Sequence, residues 1–166
     1  MYNLLIVAVG IERLVELLVS RRNGRWAATR GGVEFGHSHY PALVAVHAAL
    51  LAGCPIEVWA VHRAFIGWLG WPMLAVVAAS QALRWWCVAT LGRRWNTRVI
   101  VIPQAPLVRR GPYRLLKHPN YLAVTAEGLA LPLVHTAWLT AIGFAVANAL
   151  VLAVRLRVEN AALGYT

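Results

Sequence analysis

Leu91 to Tyr121 reads LGRRWNTRVIVIPQAPLVRRGPYRLLKHPNY and is the longest stretch of the chain without a helical look. It carries Arg93, Arg94, Arg98, Arg109, Arg110, Arg114 and Lys117, seven of the sixteen lysines and arginines. Gly111-Pro112 and His118-Pro119 break it, because proline lacks a backbone donor and pushes the residue before it out of helical geometry. Tyr113 and Tyr121 stand beside those breaks. A merely solvated loop needs neither the aromatics nor the breaks, so the stretch reads as a built cap.

Outward from it, both flanks are apolar. The chain is 60% hydrophobic and 13% charged, where a soluble domain is closer to ~25% charged. One domain over residues 1–166 is expected. Apolar runs fall at Leu4–Val19, Ala42–Val61, Phe65–Leu91, Leu122–Val134 and Ala137–Val154. Arg21 to Arg25 is expected to stop the first run, which makes residues 20–40 a polar loop. Pro55 and Glu57 interrupt the second, which is expected to kink or end there. Trp68, Trp71, Trp85 and Trp86 flank the third like an aromatic belt, and Arg84 is near enough to its end to snorkel. Leu131-Pro132 and Val134-His135-Thr136 turn the last two runs into a hairpin, and residues 155–163 continue as a helix out of the membrane. The fold class implied is an all-α integral membrane protein of about five transmembrane helices, with a cytoplasmic cofactor-binding loop and a C-terminal helix.

The net charge of +10 does not point to nucleic acid. Basic residues on one side of a membrane meet anionic lipid and obey the positive-inside bias. With five spans, residues 20–40, residues 91–118 and the tail share one face and hold thirteen of the sixteen lysines and arginines. That asymmetry places the tail and the candidate site in the cytoplasm and the N-terminus outside, consistent with a bacterial cytoplasmic membrane. Cys54 and Cys87 lie in apolar surroundings and read as buried thiols. His37 and His39 lack further ligands nearby, so no metal site is expected.

Charges inside the runs require partners. Glu12 and Glu16 share a helix face and are expected to pair with Arg13 or Arg84. Glu127, alone in a short run, is expected to be buried and paired, or to line a tunnel. His47 reads as a satisfied core histidine.

The remaining polar groups converge on the cytoplasmic face. The hairpin brings His118-Pro119-Asn120-Tyr121 beside Arg155 and Glu159, which share a helix face at i, i+4. A carboxylate can take a ribose diol or an ammonium, arginines a carboxylate or phosphate, and tyrosines a purine. These suit a nucleotide-like cofactor. An interfacial cap with an Arg155–Glu159 helix salt bridge is the bland alternative.

Gly111-Pro112-Tyr113-Arg114, Lys117-His118-Pro119-Asn120-Tyr121 and Arg155-x-Arg157-x-Glu159-Asn160-x-x-Leu163 together resemble the isoprenylcysteine carboxyl methyltransferase family over about residues 85–165. Arg13-Leu14-Val15-Glu16-Leu17, Ser20 to Asn23 and His39-Tyr40-Pro41 look like a bacterial branch that O-methylates alkylpyrones or alkylresorcinols. The resemblance implies an S-adenosylmethionine-dependent O-methyltransferase acting on a carboxyl, enol or phenol oxygen of a lipophilic acceptor. It implies that His118 and Tyr121, with Asn120, Tyr113 and Gln104, bind the cofactor, and that Arg155 and Glu159 orient cofactor and acceptor. The turn and tail are also similar to those of membrane sterol reductases that use NADPH. A non-catalytic scaffold or small transporter is a third reading. Neither the acceptor nor the oligomeric state is legible.

Overall fold

A computed structural model describes residues 2–164. Five helices dominate: α1 (Tyr2–Ala28), α2 (Tyr40–Ala60), α3 (Gly67–Leu91), α4 (Pro119–Leu133) and α5 (Trp138–Leu163). Among the described residues, three helical stretches are long and apolar enough to cross a membrane: His37–Ala60, Gly67–Arg94 and Trp138–Leu163.

α1 does not stop at Arg21–Arg25 as expected. Arginine is a good helix former, so a change of solvent does not end the helix. It ends instead at a glycine. Gly31 adopts φ +72°, the Gly32 amide donates to Ala27 C=O at 2.9 Å, and the Gly31 amide donates to Ala28 C=O at 3.2 Å. This is the left-handed cap that glycine supplies without steric cost. Only residues beyond the cap form the first loop.

That loop holds a feature absent from an all-α reading. β1 (Val33–Phe35) pairs antiparallel with β2 (Val99–Val101), with Glu34 opposite Ile100. β-branched residues fill most of these positions and favour the extended backbone. The ladder ties the two basic loops together across the mouth of the helices.

α2 also runs on past its expected break. Pro55 lies inside the helix, and Glu57 is buried because it caps α5. The Leu139 and Thr140 amides donate to its carboxylate at 3.2 and 2.7 Å, and the Thr140 hydroxyl donates at 2.8 Å. Arg63 Nη2 stands 2.9 Å away. A carboxylate at a helix N-terminus satisfies amides that have no partner within the helix.

The core joins α1, α2, α3, α4 and α5 through residues such as Ile6, Cys54, Val77, Leu131 and Phe144. α4 and α5 approach closely at Gly128, where an added Cβ would lie 2.0 Å from the Phe144 ring. Arg84 does not snorkel. It is 5% exposed and joins Glu16 at 3.2 Å and Glu127 at 3.1 Å. Arg13 completes the cluster, 2.7 Å from Glu16 and 3.1 Å from Glu127. Gln81 and the Trp85 indole donate to Glu12. The cluster buries its charges between α1, α3 and α4, while Leu4, Val7, Ile11, Leu14 and Leu18 form the outer face of α1.

Candidate active site

The N-terminal turn of α4 and the C-terminal turns of α5 meet at the mouth. Pro119 is the first residue of α4 and His118 its cap, which suits proline's fixed φ and missing donor. This start aims Tyr121 at α5. Arg155 Nε donates to the Tyr121 oxygen at 2.7 Å, and the Tyr121 hydroxyl donates to Glu159 Oε2. The expected helix pair is therefore bridged by a phenol. His118 Nδ1 lies 3.3 Å from Glu159 Oε1, and His118 Nε2 lies 2.8 Å from Asn160 Oδ1. The His118 and Tyr121 rings stack at 5.4 Å. Both imidazole nitrogens face acceptors, so the Glu159 hydrogen bond raises the His118 pKa above its usual value. This favours the imidazolium.

These side chains border a cavity of about 190 Å³ roofed by the Leu91–Tyr121 loop, with Tyr113, His118, Asn120, Tyr121, Arg155 and Glu159 on its wall. Burial raises the pKa of the Tyr113 hydroxyl, which bonds to Cys87, so it stands as a neutral donor. Gln104 is placed differently. It sits exposed with φ +61°, while its neighbours Ile102 and Ala105 line the cavity. The loop arginines do more than face lipid: Arg94 donates to Pro106 C=O at 2.7 Å, and Arg98 reaches Glu34 at 3.2 Å.

A second cavity of about 240 Å³ lies deeper, between α1, α2, α4 and α5. Leu14, Leu17, Leu43, Leu51, Val124 and Leu152 give it apolar walls. Leu14 and Val44 line it and are 62% and 44% exposed, so it opens sideways between α1 and α2. Trp95, Asn120, Tyr121 and Arg155 border both cavities. Two buried atoms of this shared wall, Asn120 Oδ1 and Arg155 Nη1, have no hydrogen-bond partner. Such groups cost free energy unless something supplies a partner.

Several wall and support residues escaped the sequence reading. Trp95 is 3% exposed and separates the cavities. The Ser20 hydroxyl and Asn96 Oδ1 are 2.8 Å apart, and Asn23 Nδ2 donates to Trp95 C=O at 2.7 Å. The polar pair Ser20 and Asn23, one turn apart on α1, was the available signal for a docked loop.

The helices, three of them with stretches apolar enough to cross a membrane, thus hold two adjoining cavities, as a membrane protein with an internal site would. Residues 73–165 match the isoprenylcysteine carboxyl methyltransferase (ICMT) family, and the chain belongs to that family of membrane methyltransferases. It is 38% identical to "Uncharacterized protein YpbQ" of Bacillus subtilis (strain 168) over 164 residues, covering 98% of this chain and 96% of that one. An "Uncharacterized protein" of Haemophilus influenzae is 24% identical over 166 residues, with 98% and 95% covered.

Proposed function

We propose that this chain is an S-adenosylmethionine-dependent O-methyltransferase of a lipophilic acceptor. The cavity at the mouth would take the cofactor and the deeper one the acceptor. The observation that carries this reading is the shared wall of Trp95, Asn120, Tyr121 and Arg155 between a mouth cavity that holds Tyr113, His118 and Glu159 and a deeper, more apolar one.

The residues fit the cofactor chemically. Glu159 is a carboxylate suited to an ammonium or a ribose diol, and the unpartnered Asn120 Oδ1 and Arg155 Nη1 offer one acceptor and one donor. When bound, the cofactor supplies an electrophilic methyl group on a sulfonium. The chain's own part is alignment and exclusion of water, which carry much of the barrier in such transfers. The Tyr121 hydroxyl holds Arg155 and Glu159 in one orientation. Arg155 places a positive charge at the wall, where it favours an ionised acceptor oxygen. An acidic enol or carboxyl needs no further base; a phenol gains from this charge.

The same reading extends to topology. Five membrane segments put the N-terminus outside and the mouth in the cytoplasm, where the soluble cofactor resides, and the acceptor enters sideways between α1 and α2. Calorimetry with S-adenosylhomocysteine on detergent-purified protein tests it. Saturable binding that Glu159→Gln weakens at least tenfold is expected. Absence of binding, together with binding of NADPH, would sink the proposal.

A further inference from the structure

The mouth is only one end of the deeper cavity. About two helical turns further in, some 10 Å at the rise of an α-helix, every helix carries a polar residue. Tyr40 marks the mouth on α2 and His47 the inner level; Arg155 marks it on α5 and Asn148 the inner level. Arg13 and Glu16 on α1, Arg84 on α3 and Glu127 on α4 complete this tier. Of these, Arg13, Glu16, His47, Arg84 and Asn148 line the cavity.

The tier is not saturated. Among the described residues, six buried side-chain polar atoms lack a partner, and five belong to residues lining this one cavity. Two of the five, on Asn120 and Arg155, belong to the mouth wall. The other three are Glu16 Oε1, Arg84 Nε and Asn148 Oδ1, on residues 4%, 5% and 2% exposed. His47 adds a fourth open group. Its Nδ1 lies 2.8 Å from Leu43 C=O; a carbonyl can only accept, so Nδ1 carries the proton and the neutral ring leaves Nε2 as an acceptor. Charge balance alone does not require His47 or Asn148, because Arg13 and Arg84 already pair with Glu16 Oε2 and Glu127.

The cavity is thus polar at both ends and apolar at its sides, and its lateral opening lies between the ends. An occupant with one polar group and a tail along its axis would leave one end unsatisfied. We propose that Glu16, His47, Arg84 and Asn148 form a second recognition site of the acceptor cavity. It selects an acceptor whose head carries a hydrogen-bonding oxygen in addition to the one that is methylated, with the alkyl tail leaving sideways between α1 and α2. The proposal rests on the methyltransferase reading for the direction in which the head points.

Three matched probes separate the possibilities: 5-pentadecylresorcinol with two hydroxyls, 3-pentadecylphenol with one and pentadecylbenzene with none. Their binding is read as protection of the detergent-purified protein against thermal unfolding, with and without S-adenosylhomocysteine. Expected is at least tenfold tighter binding of the resorcinol than of the phenol, and weaker binding still of the benzene. His47→Leu and Asn148→Leu should each erase most of the resorcinol's advantage while S-adenosylhomocysteine affinity is unchanged. These positions are chosen because substituting Glu16 or Arg84 breaks the ion cluster. Equal binding of the three probes, or binding of none, overturns the proposal, as does an unchanged ranking in both variants. The wild-type ranking decides the matter even if a variant fails to fold. Wild-type protein that ranks the probes as expected but does not bind S-adenosylhomocysteine refutes the methyltransferase reading and leaves the second site standing.

Discussion

Two clusters of arginine and glutamate lie at different depths of the same bundle. In the inner one, Arg13 and Arg84 touch Glu16 and Glu127 directly, at 2.7 to 3.2 Å. In the outer one, Arg155 and Glu159 meet through the Tyr121 hydroxyl, with His118 on the other carboxylate oxygen. The inner charges cancel one another across three helices and bind the helices together. The outer charges are held by neutral or titratable go-betweens beside the cavity at the mouth. Arginine paired directly with glutamate therefore holds helices together first, and offers a ligand only the atoms the pairs leave over, such as Glu16 Oε1 and Arg84 Nε.

The largest contrast should appear in stability. Removing Glu127 leaves the buried Arg13 and Arg84 to share Glu16, with only Glu12, 3.7 Å from Arg13, beside them. Breaking a buried pair costs about 3–5 kcal/mol, so Glu127→Ala should unfold at a much lower temperature in detergent, or fail to accumulate. Glu159→Gln lies at the mouth and should leave the unfolding temperature close to wild type. Equal destabilisation by the two would erase the distinction between a cluster that holds the fold and one that does not.

Ligand binding should invert that order. Glu159→Gln and Arg155→Lys should weaken S-adenosylhomocysteine binding at least tenfold, about 1.4 kcal/mol, because lysine cannot reproduce the guanidinium's fixed fork of donors. Gln104→Ala should leave it unchanged. Calorimetry at fixed detergent concentration reads all three, and a Gln104 effect as large as that of Glu159 would move the site.

How much of this was legible beforehand follows from which forces act locally. The His118–Tyr121 turn and its partners on α5 could be read because Pro119 and the hairpin are encoded within a few residues. The pairing of Glu16 and Glu127 with arginines followed from the cost of lone charges in lipid. The end of α1 was misplaced because the arginines suggested a membrane surface, whereas Gly31 sets the helix cap. The β1–β2 ladder joins residues far apart in sequence, and three-residue strands carry too little periodicity to announce it. The inner cavity was hidden for a related reason: His47 and Asn148 look like ordinary core residues until α2 and α5 are placed side by side.

An intermediate effect tests how tightly the two regions are coupled. Gly128 lies one residue from Glu127, and a Cβ there would meet the Phe144 ring at 2.0 Å. Gly128→Ala should cost about 1–3 kcal/mol, as overpacked cores do. Phe144→Leu in the same chain should recover part of it. If Gly128→Ala also weakens S-adenosylhomocysteine binding, the α4–α5 contact sets the mouth as well as the core.

The smallest effect concerns pH and belongs to the outer cluster. The Glu159 hydrogen bond raises the His118 pKa in the folded protein, against an unfolded value of about 6.5. The folded state therefore holds this proton more tightly than the unfolded chain. The stabilisation is fully present below about pH 6.5 and is lost as pH rises through the folded value. Unfolding temperature should decline gently across that window in wild type, and the His118 contribution to the decline should vanish in His118→Gln. Glu159→Gln should flatten it too, because the carboxylate is the main cause of the shift. A decline that persists undiminished in both variants would assign the titration to another group and detach His118 from Glu159.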